Sequence, residues 1–174
     1  MSGKPPPRDA AGPRPAAGAG VPRGGEPASV AALSHLAIAV READPLVEVL
    51  VSALGARRGD EELLDDGALR VVFVHLGPVT LELLEPRSAG HTVAKFLESR
   101  GPGLHHVSLE VPDLVGQLAH AKAAGVRLID EIPRPGAHGT QVAFLHPRSL
   151  GGVLLELCQA PSTGPGQAHP PSGR

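Results

Sequence analysis

Hydrophobic and polar positions repeat along residues 33–160. The first copy opens His35-Leu36-Ala37-Ile38-Ala39-Val40, with large aliphatics at every second place. Such alternation predicts a strand with one packed face. Asp44-Pro45 then reads as an N-cap followed by a first-turn proline. Leu46, Val47, Leu50 and Leu54 fall at helical spacing, and Gly55 ends the helix. After a less regular stretch, 56–70, two strands are predicted over 71–74 and 79–84, joined by a turn at Gly77-Pro78.

The second copy opens His106-Val107-Ser108-Leu109-Glu110-Val111. Asp113 is its N-cap, Leu114, Leu118 and Ala121 form its helical stripe, and Gly125 ends it. Beyond 126–140, strands are predicted over 142–145 and 153–157. With one strand allowed in each less regular stretch, each copy reads β-α-β-β-β. Between them, residues 92–100 predict a short helix with Val93, Phe96 and Leu97 inward, stopped by Gly101-Pro102-Gly103.

Composition sets the limits of this repeat. The chain has 174 residues, with 22 Gly and 19 Pro. Eleven of the prolines lie in residues 1–32 and 161–174, which hold almost no large aliphatics. Both segments are expected to be disordered tails, because they cannot bury enough surface to offset the entropy of ordering. They flank one domain, 33–160, with module one at 33–87, a linker helix at 88–102 and module two at 103–160. The first 32 residues lack a continuous apolar run, so no secretory signal is read there. Their prolines oppose the amphipathic helix of a transit peptide. A cytoplasmic location is expected, or a mitochondrial one if that tail is nonetheless a transit peptide.

Charge and residue types exclude several functions. The net charge of −2 gives no pull toward nucleic acid. A single cysteine, Cys158, excludes an internal disulfide and a Cys-rich zinc site. No apolar run approaches the roughly 18 residues of a membrane span. With three Phe and no Tyr or Trp, recognition by ring stacking is not expected.

The chemistry lies where polar residues break the aliphatic pattern. In the opening strands, His35 and His106 point away from the face under the helix, beside small residues. In each last strand one carboxylate interrupts an aliphatic run: Glu82 in Leu81-Glu82-Leu83 and Glu156 in Leu155-Glu156-Leu157. A buried carboxylate is costly unless it is paired or bound to a metal. Two imidazoles and two carboxylates at matching positions of a repeat suit a divalent first-row ion with coordination positions left open. His138 and His146 read as loop residues making hydrogen bonds, and His75 and His120 as surface residues. The run Asp60-Glu61-Glu62 reads as a solvated acidic loop.

At these residues the chain resembles the vicinal-oxygen-chelate superfamily, which includes glyoxalases, bleomycin-resistance proteins and dioxygenases. Within it the sequence is similar to the methylmalonyl-CoA epimerase family. The resemblance covers about residues 33–160. It is carried by Leu81-Glu82-Leu83-Leu84-Glu85-Pro86, Gly103-Leu104-His105-His106-Val107, Gly136-Ala137-His138-Gly139, Val142-Ala143-Phe144-Leu145-His146-Pro147 and Gly151-Gly152-Val153-Leu154-Leu155-Glu156-Leu157.

The resemblance implies an α+β fold in which two βαβββ modules form a cup-shaped mixed sheet with helices on its outer face. It implies one divalent metal ion held by His35, Glu82, His106 and Glu156, with Co2+ first and Mn2+, Ni2+ or Zn2+ as alternatives. It implies epimerisation of an acyl-CoA thioester, methylmalonyl-CoA, through a metal-stabilised enolate, with Glu156 as one acid/base, and a homodimer. Arg70 and Val71 occupy a stretch where some members carry a further glutamate, so the second acid/base is unassigned. A glyoxalase-type lyase and a metal-free small-molecule-binding module stay open as alternatives.

Overall fold

The alternating segment of the first copy forms β1 (Ala32–Ala39) in the computed structural model, which describes residues 29–161. Most of the segments read as tails, 1–28 and 162–174, lie outside the described residues. After β1 come α1 (Asp44–Leu54), β2 (Arg57–Leu64), β3 (Leu69–Leu76), β4 (Val79–Pro86) and α2 (Thr92–Arg100). The second copy supplies β5 (Gly103–Glu110), α3 (Leu114–Ala123), the two-residue β6 (Arg134–Pro135), β7 (Gln141–Leu145) and β8 (Leu155–Gln159). All these strands join one sheet in the order β2-β3-β4-β1-β5-β8-β7-β6. β1 runs parallel to β4 and β5 parallel to β8, and the two copies meet antiparallel along β1 and β5.

Period-two alternation decides which residues go to which face. Leu36 and Ile38 of β1 pack with Val47 and Leu50 of α1 and with Leu83 of β4. Leu109 of β5 packs with Leu114 and Leu118 of α3 and with Leu157 of β8. The other face of β1 carries Ala37 and Ala39, fully buried with Val71, Phe73 and Leu84 against Val93 and Leu97 of α2. So α1 and α3 cover the outer face, and the linking helix packs on the concave one. Leu114 has no exposed surface. Leu114→Ala is expected to cost about 3 kcal/mol, from lost transfer energy and the cavity left behind. Urea unfolding checks this, as a lower midpoint at unchanged slope.

The sheet curls until its two ends touch. Residue 138, just after β6, donates its backbone N–H to Glu62 Oε2 of β2 at 3.0 Å. Its ring Nε2 lies 3.1 Å from Asp60 Oδ2. β2 and β6 are the opposite edges of the sheet, so this contact closes the cup at its rim.

Three local expectations change. The N-cap of α1 is Ala43, and Asp44 is the first helical residue. Arg70 of β3 draws the Asp44 carboxylate into an ion pair at 2.9 Å, and Glu85 Oε2 accepts the Ala43 N–H instead at 2.8 Å. Leu54 faces solvent. The stretch 56–70 is not irregular: it holds β2 and a tight hairpin turn in which Asp65 and Asp66 both have positive φ, 52° and 54°. Aspartate tolerates that left-handed backbone better than most residues. The acidic run therefore lies on an edge strand, not in a loop. Glu61 pairs with Arg70 at 2.7 Å, and Asp60 and Glu62 hold residue 138. Charged side chains on an edge also discourage pairing with other chains.

Candidate active site

Strand register assembles the polar cluster. Across the β1–β5 seam, His35 is opposite Ser108 and Ala37 is opposite His106. In the parallel pairs, Glu82 is opposite Ala37 and Glu156 is opposite Ser108. Two rows therefore cross the sheet on one face: Glu82, Ala37, His106 and His35, Ser108, Glu156. Each row has a small, fully buried residue at its centre. The space above Ala37 and Ser108 is where the four larger side chains converge.

The distances follow from these rows. His35 Nε2 lies 3.3 Å from His106 Nε2 and 3.4 Å from Glu156 Oε1. His106 Nε2 lies 3.8 Å from Glu156 Oε2. One ligand atom from each of His35, His106 and Glu156 falls within 4.8 Å of the others. Glu82 stands outside this triplet, with Oε1 3.3 Å from the other ring nitrogen of His35. A further residue, not singled out from the sequence, supports the group: His105 Nδ1 lies 3.0 Å from His106 Nδ1. The His105 ring in turn packs edge-on against Phe96 of α2. That contact occupies one His106 nitrogen and leaves the other for the cluster.

Burial sets the charge states. It lowers His35 to about 4 and His106 to about 2, so both imidazoles are neutral with lone pairs to donate. Burial raises Glu82 to about 8, helped by the charges of Glu156 and Glu62, and raises Glu156 to about 7. Glu156 Oε1 is buried without a hydrogen-bond partner among the described residues. Two neutral imidazoles beside carboxylates that resist ionising is a donor set short of positive charge. A divalent cation fits it.

The cluster lies in a cleft of about 540 Å³. Val71, Phe73 and Leu84 form the module-one wall, and Phe144 and Arg134 contribute to the other. His75 lines this cleft, half-buried, with Nδ1 3.2 Å from Thr80 Oγ1; the expectation of a surface residue does not hold. His146 accepts the Arg148 N–H, a loop hydrogen bond as expected. His138 makes loop hydrogen bonds too, but its ring also lines the cleft and stacks on Phe73, with centroids 4.2 Å apart.

Comparison with known proteins matches this architecture. Residues 34–144 match the Glyoxalase/Bleomycin resistance protein/Dioxygenase superfamily. The mitochondrial methylmalonyl-CoA epimerase of Bos taurus is 38% identical over 129 residues, covering 74% of each chain. The chain belongs to the methylmalonyl-CoA epimerase family. The crystal structure of methylmalonyl-CoA epimerase from Mycobacterium tuberculosis superposes with a TM-score of 0.71 at 34% identity, covering 76% of this chain and 90% of that one. A methylmalonyl-CoA epimerase in complex with methylmalonyl-CoA and NH4+ gives 0.72 at 29% identity, covering 77% and 97%. The cup-shaped mixed sheet that the resemblance implies is the fold of these epimerase structures. Among the described residues no helix is long and apolar enough to cross a membrane.

Proposed function

We propose that this member of the epimerase family interconverts the two stereoisomers of methylmalonyl-CoA at the α-carbon, using a divalent metal. The observation that carries the reading is the buried His35–His106–Glu156 group, with one ligand atom of each within 4.8 Å, on the floor of a cleft. His35, His106 and Glu156 would hold the ion, with Glu82 as the fourth member of the set. Cobalt(II) is the ion proposed first, and Mn2+, Ni2+ and Zn2+ suit the same nitrogen and oxygen donors. When bound, such an ion acts as a Lewis acid on the oxygens of a dicarbonyl substrate.

The α-hydrogen of a 2-methylmalonyl thioester lies between two carbonyl groups, which makes its removal feasible for a carboxylate. Glu156 is that base. In the metal-free protein burial raises its carboxyl above the usual carboxylate range, and its two oxygens lie beside both imidazoles of the cluster. Apolar walls of Val71, Phe73, Leu84 and Phe144 keep water from the charge that develops. A homodimer and a cytoplasmic location complete the proposal.

Metal binding should depend on pH with a definite sign. At pH 6, Glu82 and Glu156 are largely protonated, because burial raises them to about 8 and about 7. Ligation requires the ionised forms, so binding releases protons and affinity rises between pH 6 and 8. The histidines add nothing in this window, since both are already neutral. Calorimetric titration in buffers of different ionisation heats measures the released protons. A flat affinity across the window would contradict the assigned carboxylates.

The activity itself is tested by deuterium entry from solvent into methylmalonyl-CoA with added Co2+ or Mn2+. Exchange that a chelator abolishes is expected. No exchange, with consumption of methylglyoxal–thiol adducts instead, would replace this reading by a glyoxalase-type one.

A further inference from the structure

Inversion returns a proton to the face opposite the one it left, so epimerisation calls for a second transfer group facing Glu156. Outside the polar cluster, the ionisable side chains of the cleft can be taken in turn: Cys158 is on β8, the same strand as Glu156, and Asp65 is held by His91. His91 has both ring nitrogens engaged: Nδ1 accepts the Val93 N–H at 3.2 Å, and Nε2 lies 2.9 Å from Asp65 Oδ2. His105 is committed to His106. His75 is bound to Thr80, and its Nε2 lies so close to β2 that a Cβ at Gly59 would come within 2.9 Å of it. Arg134 does not release a proton near neutral pH, and its guanidinium sits over the Phe144 ring.

His138 differs from all of these. It belongs to module two, yet its ring stacks on Phe73 of the module-one wall, tilted by 33°. Strands β4, β1 and β5 separate Phe73 from Glu156 along the curled sheet, so His138 enters the cleft against module one while Glu156 enters it from module two. Asp60 Oδ2 lies 3.1 Å from Nε2. A carboxylate on one imidazole nitrogen fixes the tautomer and leaves the other nitrogen to exchange a proton. The backbone at His138 is left-handed, with φ 53°, a conformation that side-chain-bearing residues seldom adopt. The hydrogen bond from its N–H to Glu62 holds it there. Strain of this kind gathers at functional positions.

We propose that His138, held by Asp60, is the second proton-transfer group of the epimerisation, opposite Glu156; this rests on the epimerase reading. In one direction the Glu156 carboxylate takes the α-proton, and the C–H electron pair moves toward the thioester carbonyl oxygen. The His138 imidazolium then delivers its proton to the opposite face, and the electron pair returns to form the new C–H bond. The step ends with Glu156 protonated and His138 neutral, the states from which the reverse reaction starts. Exchange with water resets both groups for another turnover in the same direction.

The test uses the metal-loaded protein and each stereoisomer of methylmalonyl-CoA in deuterated water. The wild type is expected to exchange and interconvert both. In His138→Asn the loop is kept, since asparagine accepts a left-handed backbone, but no proton can be carried. Interconversion should fall about 100-fold or more. Deuterium should still enter one stereoisomer, with retained configuration, at a rate within about 3-fold of wild type through Glu156. Metal affinity should not change. Asp60→Asn, which leaves the imidazole in place, should slow interconversion about 10-fold. Interconversion by His138→Asn at the wild-type rate overturns the proposal, as does equal loss of exchange from both stereoisomers. If the wild type exchanges neither, the epimerase reading itself falls and takes this assignment with it.

Discussion

Glu156→Gln is expected to lower epimerisation of methylmalonyl-CoA by on the order of 10³-fold, within the usual range for loss of a general acid/base. The substitution keeps the side chain's size and removes its capacity to ionise. Glu156 is 5% exposed, opposite Ser108 in the sheet, and close to both imidazoles of the cluster. A neutral amide there cannot accept the α-proton. It also removes the only carboxylate in the triplet His35, His106 and Glu156, so metal affinity should fall alongside the rate. Stereochemical interconversion followed under saturating metal separates the two effects. A rate within 10-fold of wild type at saturation would contradict the role given to Glu156.

The second large effect is on metal binding. His35→Ala should weaken affinity by about 100-fold, at least the upper end of what is lost when a supporting residue alone is removed. His35 is the centre of the cluster: Nε2 lies within 3.4 Å of His106 and of Glu156, and Nδ1 lies 3.3 Å from Glu82. Its loss removes a neutral nitrogen donor and leaves the two carboxylates without the residue between them. Calorimetry on the metal-free protein reads the affinity, and a thermal melt confirms that the β1–β5 seam is intact. Unchanged affinity would refute His35 as a ligand.

The sequence makes the skeleton of this site legible because strand alternation is local information. Once His35 and His106 are placed on the face away from the helices, Ala37 and Ser108 necessarily share it. Glu82 and Glu156 interrupt aliphatic runs, and their cost if unpaired marks them without any knowledge of pairing. What the sequence leaves hidden depends on contacts between distant segments. Asp44 looks like an N-cap until Arg70, a strand away, claims its carboxylate. β2 reads as a loop because its residues are charged, and only pairing with β3 makes them a strand. His105 carries no repeat signal, since its role is set by how His106 turns its ring. His138 sits in a short loop and becomes part of the cleft only when the sheet curls far enough to bring Phe73 and Asp60 against it.

The most direct test of the central claim starts from one stereoisomer of methylmalonyl-CoA, metal-free protein and a chosen divalent ion. With Co2+ added, the opposite stereoisomer should accumulate to equilibrium, stop on addition of chelator and resume when metal is restored. Failure of the opposite stereoisomer to form with any of Co2+, Mn2+, Ni2+ or Zn2+, by protein shown to be folded, would contradict the account.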